Sequence, residues 1–187
     1  RRQTYFEEKS PFLSMTDQFK TLKLAFNYMI EAPEPLFMLD REDNLGEGFV
    51  MRFVEGETVP KKILSEESFQ NARDNLAQQC GEVLAKIHSI PTENFDYLGQ
   101  TPDSKDVLNA QIQRYDYYGG GHPALDLAIR WLQKNQPAEP YRKFVHGDFR
   151  LGNIAVKKDG LKSVLDWECS HLGDPMEDLA WLCLRSW

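Results

Sequence analysis

The sequence predicts an α+β protein, a small α+β lobe followed by a mainly helical lobe. Three observations carry this expectation. One helical pattern and two strand-like runs occupy residues 16–54, three amphipathic stretches follow between 66 and 134, and short apolar runs carrying polar residues close the chain. The expected division is 1–54 and 55–187. No internal repeat or low-complexity tract interrupts it.

In residues 16–30, Phe19, Leu22, Leu24, Phe26 and Ile30 recur at roughly helical spacing, with Thr16 or Asp17 as the N-cap. Ala32-Pro33-Glu34-Pro35 stops that helix. Leu36–Leu39 and Phe49–Val54 are rich in strand formers, and the polar turn 40–46 between them predicts a β-hairpin. Glu55 to Thr58 then leaves the sheet. A long helix is expected over 66–90, with Leu76, Cys80, Val83, Leu84 and Ile87 on one face. Helices at 105–117 and 123–134 flank Gly119-Gly120-Gly121, which reads as a turn. The Gly run is no phosphate cradle, because no strand precedes it and no Lys-Ser/Thr follows it. Lys143–Val145 and Ser163–Leu165 are short strands.

The chain has 187 residues, 41% hydrophobic and 27% charged, which suits one domain or two small lobes with a buried core. A net charge of -7 argues against nucleic acid or an anionic membrane as partner. No apolar run approaches the ~18 residues that span a bilayer. Cys80, Cys169 and Cys183 are odd in number and lack CxxC spacing, which points to reduced thiols and a cytoplasmic setting rather than a disulfide or zinc framework. The chain opens Arg1-Arg2 without Met, so residues are expected to precede it.

Chemistry concentrates in His146-Gly147-Asp148-Phe149-Arg150-Leu151-Gly152-Asn153 and Leu165-Asp166-Trp167-Glu168. Relative to Asp148, Arg150, Asn153 and Asp166 stand at +2, +5 and +18. Phosphoryl transfer from a nucleotide needs in-line positioning, charge neutralisation and an acceptor for the substrate hydroxyl proton. Asp148 is suited to orient and deprotonate a hydroxyl, and Arg150 to reach a γ-phosphate. Asn153 and Asp166 offer the hard oxygen ligands that Mg²⁺ prefers. The constellation predicts a kinase. A metallophosphoesterase is disfavoured, because such sites need several His ligands and Ile154 stands where one would follow the Asn.

The 146–153 block resembles the catalytic loop of the aminoglycoside phosphotransferase/choline kinase-like family. Leu165–Glu168 and Leu172-Gly173-Asp174-Pro175-Met176-Glu177-Asp178-Leu179-Ala180 look like the blocks that follow it there. Leu84-Ala85-Lys86-Ile87-His88-Ser89-Ile90 is similar to the family's LAxLHxI helix end, and Phe49–Gly56 to its last N-lobe strand and hinge. The Asp-Phe-Arg-Leu-Gly-Asn and Leu-Asp-Trp-Glu forms most resemble the subgroup related to acyl-CoA dehydrogenases. The resemblance implies a protein-kinase-like bilobal fold, truncated at both ends, with 1–54 as part of the nucleotide-binding lobe and hinge and 55–187 as the catalytic lobe. It implies ATP against the backbone of Met51, Arg52, Phe53 and Val54, Asp148 as catalytic base, and Asn153 and Asp166 on Mg²⁺. His146, Asp174 and Asp178 become structural supports of the site. Gly147 stands where protein kinases carry Arg, and the short stretch from Asp166 to Asp178 leaves no room for a phospho-switch, so a small-molecule hydroxyl is the expected acceptor, of hydroxyacyl type rather than an aminoglycoside.

Departures from the family accompany the match. No Gly-rich loop precedes the first helix, and Arg1-Arg2 resembles the stub of a third strand, which puts one of the two, Arg1 or Arg2, at the position of the nucleotide-binding Lys. The Glu partner of that residue falls on Gln18, which hydrogen-bonds a cation but does not neutralise it; Asp17 is the candidate to compensate. Gly46-Glu47-Gly48 with Lys61 or Lys62 imitates a Gly-rich loop plus lysine, yet Pro60 is incompatible with a central strand there. A nucleotide-binding scaffold that has lost catalysis is the rival expectation.

Overall fold

The computed structural model describes residues 12–98, 104–137 and 142–184. Helix α1 spans Met15–Asn27 and is capped by Ser14, whose Oγ accepts from the Asp17 amide at 3.1 Å. The expected caps, Thr16 and Asp17, thus lie inside the helix, and the Asp17 carboxylate accepts from the Ser14 hydroxyl at 2.8 Å. The buried face is Met15, Gln18, Thr21, Leu22 and Ala25, and Phe26, one of the helically spaced apolar residues, is 40% exposed. Termination also differs from expectation. Met29 adopts φ 57°, the Ile30 amide reaches back to the Ala25 carbonyl at 3.1 Å, and the Met29 amide to Phe26 at 3.0 Å. That Schellman turn ends the helix well before Pro33.

Strands β1 (Pro35–Met38) and β2 (Phe49–Met51) pair antiparallel, Pro35 opposite Met51, as the expected hairpin. Arg52–Val54 leave the ladder. The following segment does not drift free: Glu57 exchanges both backbone hydrogen bonds with Val156, at 2.8 and 2.9 Å. Pro60 is the first residue of helix α2 (Pro60–Ser65), a position that needs no backbone N–H, so Lys61 and Lys62 are helical and the imitation Gly-rich loop dissolves. The expected helix over 66–90 is a short 3₁₀ turn at Glu67–Phe69 followed by α3, Gln70–Ser89, with Cys80, Val83, Leu84 and Ile87 buried.

Helices α4 (Ser104–Tyr117) and α5 (Pro123–Lys134) form a hairpin around Gly119–Gly121, all three at positive φ. The rest is two more antiparallel ribbons. Strand β3 (Lys143–Val145) pairs with β6 (His171–Gly173), and β4 (Ile154–Lys157) with β5 (Gly160–Val164). Helix α6, Met176–Leu182, closes the described chain. Strands β4 and β6 are not expected from the sequence. The core runs from α1 through α3 to these ribbons, with Phe95 stacked on Phe144 at 3.9 Å and Phe144 parallel to Trp167 at 6.2 Å. Among the described residues no helix is long and apolar enough to cross a membrane.

Candidate active site

Strand β3 delivers the chain into the loop 146–153, and the loop begins with a buried turn. Gly147 has φ +79°, and a Cβ there would lie 2.3 Å from the Cys169 carbonyl oxygen. The turn thus excludes any side chain at this position, including the Arg that protein kinases carry. Asp178, fully buried on α6, accepts from the backbone amides of His146 and Gly147, both at 2.9 Å, and meets His88 Nε2 at 2.9 Å. Burial alone would raise the Asp178 pKa, but the His88 contact and the two amides outweigh it and hold the carboxylate below its ordinary range.

His146 is buried and organises the loop without being placed for proton transfer. Its Nδ1 accepts from the Asp148 amide at 3.3 Å, which sets the neutral tautomer with Nε2–H donating to the Leu165 carbonyl at 2.9 Å. Burial depresses its pKa, opposed by the nearby Asp178 charge. Both groups therefore act with one sign. A group whose folded pKa lies below its ordinary value stabilises the fold above that value and loses the contribution as pH falls beneath it. The melting temperature is expected to start falling as pH drops through 6.5, where unfolded His146 gains its proton, and again below 3.8 as Asp178 follows. Calorimetric scans of the His171→Gln variant, which removes the opposing effect of the raised His171 pKa, measure this from about pH 7 to about pH 3; a melting temperature flat through the first step contradicts it.

Asp148 is half-buried at the centre. Asn153 Nδ2 donates to its Oδ2 at 2.6 Å and to its backbone carbonyl at 3.0 Å. Arg150 Nε bridges both carboxylate oxygens at 3.1 and 3.3 Å, and Trp181 Nε1 donates to Oδ1 at 2.6 Å. Leu165 then ties in the second cluster: its amide donates to the Asn153 carbonyl at 2.8 Å while its carbonyl takes the His146 bond. The next residue, Asp166, has φ 62° and ψ 66°. A non-Gly residue there carries a strain of about 1–3 kcal/mol and persists only where its surroundings impose it. Buried Trp167 imposes it, with its indole N–H on the Val164 carbonyl at 3.1 Å and its ring edge-on to His146 at 4.8 Å.

Met51, Arg52, Phe53 and Val54 line a cleft of about 390 Å³ together with Pro33, Phe49 and Leu165. The residue next to Asp166 is thus in the wall of the cleft. Gln18 is buried, its Nε2 donating to the Leu13 carbonyl at 2.7 Å, and the Leu13 amide donates to Glu168 at 2.9 Å. Asp17 faces Ser14 and Lys20. Asp174 accepts from the Met176 amide at 2.9 Å, where α6 begins. Arg1 lies outside the described residues. A second cavity of about 500 Å³ lies between the α4–α5 hairpin and the start of α6, with Val107, Leu108 and Leu132 as apolar walls and Arg142, Asp174 and Glu177 among its polar groups.

The donor set suits Mg²⁺. Among the described residues no group of three or more His, Cys, Asp or Glu side chains gathers for a metal. Asn153 Oδ1 and the Asp166 carboxylate are two hard oxygens, the number Mg²⁺ takes when phosphates and water complete its shell. Asn153 uses Nδ2 for its bonds to Asp148, so Oδ1 stays out of them.

Sequence reasoning missed Trp181 and His88 as neighbours of the site. The available signal was helical spacing: Trp181 is three residues beyond Asp178 and shares its face of α6.

A family model described as the phosphotransferase enzyme family matches residues 1–187. The chain belongs to that family. It is 29% identical over 180 residues to the mouse (Mus musculus) acyl-CoA dehydrogenase family member 10, covering 89% of this chain and 16% of that relative. Among solved structures, a Ralstonia eutropha protein provisionally described as an aminoglycoside phosphotransferase superposes with a TM-score of 0.76 at 23% identity, over 90% of this chain and 54% of the other. The streptomycin–ATP ternary complex of APH(2")-IIa gives 0.59 at 19% identity, over 87% and 57%. These likenesses establish the bilobal, protein-kinase-like α+β fold. The chain therefore spans about half of these structures and a much smaller part of the curated relative.

Proposed function

We propose that this phosphotransferase-family protein moves the γ-phosphoryl group of ATP, with Mg²⁺, to a hydroxyl of a small molecule. The observation that carries the reading is the convergence of Asn153, Arg150 and Trp181 on Asp148, with Leu165 bonding the same loop and lining the cleft. In this reading residues 1–54 supply the nucleotide lobe and hinge and 55–187 the catalytic lobe. Adenine lies against Met51–Val54, and the ATP bound to a protein of the same fold supports the nucleotide class. Asp148 orients the acceptor hydroxyl and takes its proton. Arg150 balances charge on the transferring group. Asn153 and Asp166 hold Mg²⁺, which neutralises the charge that develops on the phosphate oxygens. His146, Asp174 and Asp178 act through loop and helix geometry.

A hydroxyacyl-type acceptor is favoured over an aminoglycoside. The relationship to an acyl-CoA dehydrogenase family member supports it. One observation favours a second reading, a nucleotide-binding scaffold with impaired catalysis. Gln18, at the position of an acidic partner, bonds a backbone carbonyl and brings no charge to the nucleotide site.

Two measurements separate these readings. ATP with Mg²⁺ at ~100 Kd is expected to stabilise the full-length protein by ~2.7 kcal/mol, read as a rise in melting temperature. No stabilisation overturns both readings. Turnover is then assayed on hydroxyacyl thioesters and aminoglycosides; stabilisation without transfer to any acceptor selects the scaffold.

A further inference from the structure

We propose that Trp181 is a positioning residue for the transfer reaction, holding the Asp148 carboxylate in the one orientation that leaves a lone pair for the acceptor hydroxyl. This inference rests on the reading of Asp148 given above. An aspartate carboxylate rotates about a broad, two-fold torsion, so a backbone anchor alone does not orient it. Asn153 and Arg150 come from the same short loop as Asp148 and move with it. Trp181 comes from α6, 33 positions downstream, and supplies a 2.6 Å bond to Oδ1 opposite the 2.6 Å bond of Asn153 to Oδ2. The two oxygens are thus gripped from two separate elements, which sets the plane of the carboxylate.

The same helix grips the loop backbone. Asp178, one turn before Trp181, receives the His146 and Gly147 amides at 2.9 Å. Helix α6 therefore registers the backbone at 146–147 and the side chain of Asp148 against a single rigid body. A carboxylate offers about four lone-pair sites. Asn153 and Trp181 take one each, and Arg150 Nε straddles the carboxylate edge. The acceptor hydroxyl takes what remains. Reacting atoms misplaced by an ångström lose orders of magnitude in rate, so loss of one grip is a catalytic defect and not only a packing defect.

The test uses the full-length protein with Trp181→Phe, which keeps the ring and loses the donor. A second variant carries 3-benzothienylalanine at 181, in which sulfur replaces the indole N–H at nearly constant shape. Loss of the carboxylate's orientation is expected to lower kcat about tenfold to a hundredfold, while the KM for ATP stays at its wild-type value and the melting temperature falls by only a few degrees, as loss of one hydrogen bond costs. Combining Trp181→Phe with Asp148→Asn is expected to add nothing to the loss from Asp148→Asn alone, because Trp181 acts through that carboxylate. If Trp181→Phe does not fold, the isostere decides. Wild-type kcat in the isostere, with Asp148→Asn inactive, overturns the positioning role and leaves the reading of Asp148 intact. Wild-type turnover in Asp148→Asn overturns that reading itself. A fully additive double variant, or parallel loss of melting temperature and ATP affinity in both Trp181 variants, makes Trp181 structural and overturns the inference.

Discussion

Asp148→Asn is expected to lower phosphoryl transfer by about 10²–10⁴-fold, the range that a positioned acid–base group supplies. The substitution keeps the size of the side chain and removes its charge and proton affinity. It also places an amide NH₂ against a donor, since Asn153 Nδ2 and Trp181 Nε1 approach the two oxygens from different sides. Some loop distortion will therefore accompany the chemical loss. ATP-dependent stabilisation separates the two effects, because Asp148 does not line the cleft at Met51–Val54 that is proposed for the nucleotide. Initial rates of ADP release with a competent acceptor measure the effect. Turnover equal to wild type would remove Asp148 from the chemistry.

Asp178→Ala is expected to destabilise the fold by about 3–5 kcal/mol, the usual cost of removing one partner from a buried, hydrogen-bonded ionic network. It orphans the His146 and Gly147 amides and the His88 ring together, and no water-exposed route satisfies the His146 amide. Asp178→Asn should cost less, because its remaining oxygen still accepts. Urea unfolding measures both, and a loss under about 1 kcal/mol for the Ala variant would show that the loop holds its shape without this clamp.

The hairpin, the amphipathic α3 and the α4–α5 pair were legible because each rests on a local period or turn. The end of α1 was not. Pro33 is the stronger sequence signal, but the Schellman bonds from Met29 and Ile30 close the helix first, at a residue with no special propensity for positive φ. Strand β4 was hidden because its continuous apolar run, Ile154-Ala155-Val156, directly follows the 146–153 loop and shows no alternation. Gln18 was legible as a departure from the family pattern, but its bond to Leu13 was not.

By itself, the sequence determined the spacing of the loop's polar residues, because Asp148, Arg150 and Asn153 lie within reach of one another along a single turn of chain. It also determined the family, since those intervals recur with the Leu165–Glu168 and Leu172–Ala180 blocks. Only the tertiary structure decided what holds that loop. His88 meets Asp178 across 90 positions, Trp181 meets Asp148 across 33, and Leu165 bonds both Asn153 and His146. Such contacts are made when α3, α6 and the β3–β6 ribbon pack around Phe95, Phe144 and Trp167. Packing of that kind depends on volume and direction in three dimensions, and no periodicity along the chain encodes it.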